Sequence, residues 1–186
     1  MNLSLSVLVG ASRPPILDTW RESFRAIPTF TFQLASAEQF WEVEGVDALL
    51  ILGFVAHDRD GAKAEPRTSE VLKPPAARRN VKWVVTTPAA SAQLRLREDN
   101  RGVEVTPRVH LTAAESTYLD FREIFRAIRT FNGKGKGDTI HTLGVHLDLI
   151  NAPLGDPRAE AEAVKRAYLE EIAGPATRHT APRRSE

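Results

Sequence analysis

The sequence predicts an α/β fold, a mostly parallel β-sheet flanked by helices. Three observations lead there. Two segments, Val46 to Leu52 and Val81 to Thr87, are near-continuously apolar, as strands covered on both faces are. Strand candidates of this kind alternate along the chain with helical apolar periodicity, the signature of a parallel sheet with crossover helices. Finally, Asp138 to Ile172 reads as strand, loop and helix in succession, the helix opened by Asp156-Pro157. An Asp at the N-cap accepts an orphan N–H, and a Pro at the first helical position has no N–H to leave unpaired.

In chain order, Leu3 to Val9 is a buried-strand candidate ending at Gly10. Ser12 is placed to cap the next helix, whose first turn tolerates Pro14-Pro15. Ile16, Leu17, Trp20, Phe24 and Ile27 recur at helical spacing until Pro28 stops the run. Thr29 to Leu34 alternates as a strand, and Ser36 opens a short helical turn with Phe40 and Trp41. The Val46 strand ends at Gly53. Residues 57 to 80 are polar and proline-bearing, the least structured part of the chain, although Ser69 to Leu72 could make a short helix. Around Asn100-Arg101-Gly102, Leu94 to Arg97 and Val103 to Val105 alternate, as a hairpin or a loop would. Thr112 with Glu115 forms a capping box, and Tyr118, Phe121, Ile124, Phe125, Ile128 and Phe131 make one apolar stripe. Asn132 to Gly137 reads as a flexible connection. A strand follows over Thr139 to Leu143, extendable to Ile150, then the loop Asn151 to Gly155. The last helix carries Ala161, Val164, Tyr168 and Ile172 and ends at Gly174-Pro175. One domain over 1–174 with a disordered tail over 175–186 is expected.

The 186 residues suffice for one domain with a real core. A formal net charge of +1 gives no reason to expect nucleic acid or an acidic membrane surface as partner. The chain has no cysteine, which excludes disulfides, thiolate metal sites and cysteine nucleophiles. Met1 to Val9 carries no basic residue before its apolar run, and no apolar run approaches the roughly 20 residues of a membrane span. A cytoplasmic protein is the expectation.

In parallel sheets ligands bind beyond the carboxyl ends of the strands. Here those ends are Gly10-Ala11-Ser12, Gly53-Phe54-Val55, Thr86-Thr87-Pro88 and Leu154-Gly155-Asp156. Gly10 to Ser12 reads mainly as a tight turn and only weakly as a phosphate contact, because no G-x-G-x-x-G or P-loop pattern is present. Gly133-Lys134-Gly135-Lys136-Gly137 precedes a strand and reads as a solvated linker. His57 with Asp58 is a candidate ligand contact or base. His141 and His146 read as hydrogen-bonded residues of the sheet. No H-x-x-x-H or H-E-x-x-H spacing and no G-x-S-x-G elbow occurs, so neither a metal nor serine hydrolysis is expected. Arg122, Arg126 and Arg129 read as a solvated face balanced by Asp120 and Glu123.

The element order resembles that of the macro domain family over residues 3 to 172. Trp20 to Phe24 is similar to an early family helix, and Val46-Asp47-Ala48-Leu49-Leu50-Ile51 resembles its "-DA-V-" strand. Val81 to Pro88 is similar to a later central strand. Ile140 to Leu143, then Leu154-Gly155, then Ala161 to Tyr168 resembles the last strand, ligand loop and helix. The resemblance implies a three-layer α/β/α sandwich with a mostly parallel mixed sheet. It also implies a module that binds a nucleotide or ADP-ribose-like ligand through Gly53, Phe54, His57, Leu154, Gly155 and Asp156, with loop amides facing phosphates. The loop Gly53-Phe54-Val55-Ala56-His57-Asp58 lacks the family's asparagine and extra glycines, so binding without catalysis and without a cofactor is the expectation. Two further readings stand beside it. One is a scaffold or interaction protein that kept the fold and lost the ligand. The other is a small hydrolase using His57 and Asp58.

Overall fold

The computed structural model describes residues 4–51, 56–57, 63–64, 69–73, 81–87, 93–96, 103–106, 112–134, 138–150 and 155–174; at 41, 56–57, 63–64, 93–96, 103–106 and 149 only the backbone is described. Its strands are β1 (Ser6–Ala11), β2 (Phe30–Leu34), β3 (Ala48–Leu50), β4 (Ala56–His57), β5 (Lys63–Ala64), β6 (Glu70–Leu72), β7 (Trp83–Thr86), β8 (Gln93–Leu96), β9 (Val103–Thr106) and β10 (Thr142–His146). Its helices are α1 (Pro14–Ser23), α2 (Ala37–Trp41), α3 (Ala113–Gly133) and α4 (Pro157–Tyr168). The main sheet runs β2-β1-β10-β3-β7-β6, parallel throughout except for β6, which lies antiparallel on β7. β4-β5 and β8-β9 are separate antiparallel pairs.

The layers follow from the direction of travel across the sheet. From β1 the chain steps outward to β2, then returns past β1 to lay down β3. Crossovers between parallel strands are right-handed, so reversing direction puts α1 and α2 on opposite faces. The step from β7 to β10 has the same sense as β1 to β2, which returns α3 to the α1 side. β10 comes last among the strands and fills the gap between β1 and β3. The result is a three-layer α/β/α sandwich with unequal outer layers. On one face α1, α3 and α4 bury Trp20, Phe24, Ile124, Phe125, Ile128, Val164 and Tyr168 against Val7, Val9, Leu143, Val145, Leu50 and Val85. On the other, α2 is the sole helix among the described residues, and Phe40 packs with Ala35, Val46, Leu49 and Val81.

Phe40 reaches the sheet because two glycines make room for it. A Cβ at Gly10 would overlap the Phe40 ring and lie 2.9 Å from His146 Cδ2. A Cβ at Gly144 would lie 2.6 Å from Leu49 Cδ2 and 3.2 Å from Phe40 Cε1. Gly10 therefore serves packing.

Asp47 sets the register of the central strands. Its carboxylate accepts from the N–H of His141 (2.9 Å) and Thr142 (3.0 Å). Its own N–H donates to Thr142 O (3.0 Å), and its carbonyl accepts from Trp83 N (3.1 Å). Asn132 clamps the same region, accepting from Ile140 N and donating to Ile140 O at 2.8 and 2.9 Å. Residues 140 and 141 are thus held by side chains, and β10 begins at Thr142 instead of Thr139.

Other expectations also change. Ser69 to Leu72 is not helical: Glu70–Leu72 form β6, because β7 offers an open edge that a short extended segment satisfies. Ser12 does not cap α1. The N-cap is Arg13, without a side-chain cap bond, because the Ser12 hydroxyl donates to Asp148. Arg122, Arg126 and Arg129 do not spread over a solvated face. All three converge on Glu171, which is 7% exposed, at 3.3, 2.7 and 3.0 Å. Burial pushes the Glu171 carboxyl up, and the arginines, Arg126 foremost, outweigh it and hold it low. Arg129 also donates to the Glu171 carbonyl at 3.1 Å, inside the π-helical turn Leu169–Ala173 that ends α4. Gly174, at φ 74°, closes that turn as expected. Gln93–Leu96 and Val103–Thr106 pair antiparallel, the expected capping box of Thr112 with Glu115 is formed, and Ser36 with Gln39 makes a second. The predicted tail over 175–186 lies outside the described residues. No described helix is long and apolar enough to cross a membrane.

Replacing Gly10 by Ala overpacks a filled slot and is expected to destabilise by about 1–3 kcal/mol. Trimming the ring as well, with Gly10→Ala and Phe40→Leu combined, should lower stability by less than the sum of the two single changes. Urea unfolding midpoints check both statements; strict additivity would mean that Gly10 and Phe40 do not share this space.

Candidate functional site

The parallel strands deliver their carboxyl ends, and hence the N-termini of α1, α3 and α4, to one rim. Contacts along the helices show that these N-termini are level. Lys165 Nζ donates to Ser23 O at the far end of α1 (3.0 Å), so α1 and α4 run parallel and in step. Glu171 meets Arg122 to Arg129, while at the other end Gly155 lies against Ala113. Thus α3 and α4 also run in step.

Hydrogen-bond acceptors line this rim. Ser12 follows β1, and Asp148 sits in the 3-10 turn Leu147–Leu149 that follows β10. The Ser12 hydroxyl donates a hydrogen bond to Asp148 Oδ2. Asp148 Oδ1 is buried and has no partner among the described residues. His146, 1% exposed, has Nε2 2.9 Å from Ala35 O. A carbonyl only accepts, so Nε2 carries the proton and Nδ1 is a bare acceptor. That Nδ1 is also buried without a partner. Its Cδ2 edge faces Gly10 on β1, which turns Nδ1 toward the β3 side. Glu160 is 2% exposed, with Oε1 against Gly155 and Oε2 unpartnered. Burial, assisted by the charge of Asp156, pushes its carboxyl up to about 7. The remaining unpartnered buried side-chain atoms among the described residues are two tryptophan N–H groups, of Trp20 and Trp83.

Cations flank these acceptors. Among the described arginines, Arg21, Arg25, Arg122, Arg126, Arg129 and Arg166 are each in an ion pair. Arg13 and Arg158 are exposed and have no carboxylate partner among the described residues. Arg13 is the N-cap of α1, and Arg158 is the second residue of α4. These two arginines therefore stand on adjacent, level helix N-termini.

Backbone amides contribute less than the loop pattern suggests. Pro14 and Pro15 open α1 and Pro157 opens α4, so these positions have no N–H to offer an anion. The Arg158 N–H is already taken by Asp156 Oδ1 at 2.9 Å, which fixes Asp156 as a capping residue. Of the other sequence-derived site residues, Gly155 lies at the rim against Glu160. Of His57 only the backbone is described, and it pairs with Lys63 in β4-β5. Gly53, Phe54, Asp58 and Leu154 lie outside the described residues. His141 is exposed and gives its N–H to Asp47. The residues that sequence reasoning passed over are Arg13, Asp148, Arg158 and Glu160. A usable signal existed for Asp148, two positions beyond a histidine at a strand end, and for Arg13, immediately before Pro14-Pro15.

Two surface depressions lie away from this rim. One of about 380 Å³ runs between β6 and α3, along Val71, Arg126, Thr130 and Phe131. The other, about 550 Å³, lies beside the start of β2, along Arg21, Phe24, Ile27 and Phe30. Their arginines are all engaged with carboxylates. Searched against protein-family models the chain matches none, and no curated protein matches it.

The raised Glu160 carboxyl makes a signed prediction. Below pH 4.5 it is protonated folded or unfolded; between 4.5 and about 7 only the folded chain keeps the proton; above 7 the folded chain buries a carboxylate. Stability from this group is therefore full at low pH and is lost as pH rises through about 7. Glu160→Gln removes the dependence, so its stability relative to the parent should climb between pH 4.5 and 7, by about 3 kcal/mol at most. Denaturant melts across that window measure it, and a constant difference would place the group in an ordinary environment.

Proposed function

We propose that the chain is a macro-domain-like module that binds a nucleotide or ADP-ribose-like ligand at the carboxyl end of its sheet, without catalysing a reaction on it. The observation that carries this reading is the pair Arg13 and Arg158. A guanidinium grips phosphate bidentately and is only weakly hydrated, so an unpaired one at a helix N-terminus suits a diphosphate. Each N-terminus adds about 0.3–1 kcal/mol of attraction for an exposed anion. Beneath the cations lie acceptors that suit hydroxyl or amine donors. Anion and hydrogen-bond donors together describe a nucleoside diphosphate or ADP-ribose. They describe an inorganic anion less well, because Asp148 and Asp156 would repel it if nothing offered them protons. The family resemblance in the sequence points the same way, and the three-layer fold is compatible with it.

Calorimetric titration with ADP-ribose tests the reading. Saturable heat is expected, with affinity falling as salt is raised. Arg13→Ala and Arg158→Ala should each weaken binding by about tenfold, or about 1.4 kcal/mol. Absence of heat at millimolar ligand would contradict the reading and favour a scaffold that has lost its ligand. Full affinity in the double arginine variant would place any binding elsewhere.

A further inference from the structure

We infer that Asp148, held in place by Ser12, reads hydroxyl groups: together they form a subsite for a vicinal diol, the ribose of the proposed ligand. The identification of the diol as ribose rests on the proposed function; the subsite itself rests on the atoms around it. A carboxylate ordinarily collects several donors. Asp148 has one, the Ser12 hydroxyl on Oδ2, and its buried Oδ1 has none among the described residues. Leaving a buried acceptor unpaired is costly, more so when it is charged, so native proteins keep few of them. A second acceptor in the same condition lies two residues away, His146 Nδ1, on a side chain only 1% exposed. With Nε2–H bonded to Ala35 O, the neutral ring presents Nδ1 as an acceptor.

What this surface asks for is therefore a donor. A metal ion fits poorly, because Ca²⁺ and Mg²⁺ take six or more oxygens, and no group of three His, Asp or Glu side chains converges among the described residues. A group with one N–H or O–H would satisfy Oδ1 and leave the Ser12 oxygen unused. A vicinal diol uses both. Having given its proton to Asp148, Ser12 Oγ keeps lone pairs free to accept. It lies one hydrogen bond from the carboxylate, a separation of the same order as that between the two oxygens of a diol. Arg13 is the next residue along the chain from Ser12. A ribose at Asp148 would thus have its phosphate side within reach of an unpaired guanidinium, which joins the two halves of the ligand.

The test uses the full chain and three probes: ADP-ribose, inorganic diphosphate and free D-ribose. Asp148→Asn is isosteric, and its amide can still accept from Ser12 but turns a donor toward the ligand. It should weaken ADP-ribose by at least about tenfold, whereas diphosphate, which offers no hydroxyl pair, should bind no more weakly. Equal losses for both probes, or no loss for ADP-ribose, would overturn the diol subsite while leaving nucleotide binding intact. Should the variant fail to fold, D-ribose titrated into the parent chain decides. Amide resonances of Ser12, Arg13 and Asp148 are expected to shift at millimolar sugar, and their constancy would overturn the inference. Shifts with ribose in a chain that gives no heat with ADP-ribose would uphold the subsite and sink the nucleotide reading.

Discussion

Asp47 holds the centre of the sheet together. One carboxylate oxygen accepts two N–H groups at the start of β10, and the backbone of the same residue bonds to β10 on one side and to β7 on the other. Hydrogen bonds to a charged acceptor contribute about 1.5–3 kcal/mol each, but their larger effect is on register. β10 is the strand that closes the gap between β1 and β3. A slip by one residue would exchange its two faces. Leu143 and Val145 would leave the three-helix core, and Gly144 would no longer admit Phe40. His146 and Asp148 would also lose their places opposite Gly10 and Ser12. The core and the rim therefore depend on the same strand register.

Parallel strands carry a second consequence. Helices that return the chain to the sheet all begin at the strands' carboxyl ends, so their dipoles point the same way and their positive ends gather at one rim. The two ends of the helical layer have opposite chemistry. At the far end, where helix C-termini are negative, Glu171 is buried and three arginines neutralise it. At the rim, Arg13 and Arg158 have no such partner, and the acceptors of Asp148, His146 and Glu160 lie unpaired. Packing accounts for the first arrangement, since removing any arginine would leave a buried charge less compensated. It gives no reason for the second, in which cations and unpaired acceptors are kept close to one another without satisfying one another.

The sequence disclosed what is local. Asp156-Pro157 states a helix start in two residues, Thr112 with Glu115 states another, and the period of Phe121 to Phe131 states which face of α3 is buried. Apolar runs gave β3 and β7 because a strand covered on both faces needs no partner information to be recognised. What it withheld is what depends on distant contacts. Gly10 looked like a turn glycine because Phe40, the ring it accommodates, is far away in the chain. Ser12 looked like a cap because Asp148 arrives on a different strand. Glu70 to Leu72 looked helical because only the open edge of β7 makes them extended. Arg122, Arg126 and Arg129 share a helix face, which sequence could read, but their common partner Glu171 lies at the end of another helix. The rim follows the same division. Its position beyond the strand ends was legible from the fold class, while the identities of Arg13, Asp148, Arg158 and Glu160 emerge only when α1, α4 and β10 are set side by side.

The most direct measurement is a crystal structure of the chain grown with ADP-ribose. The predicted result is ligand density at the carboxyl end of β1 and β10, with the diphosphate between Arg13 and Arg158 and a ribose against Asp148. Ligand seated instead in the depression between β6 and α3, or beside the start of β2, would contradict it.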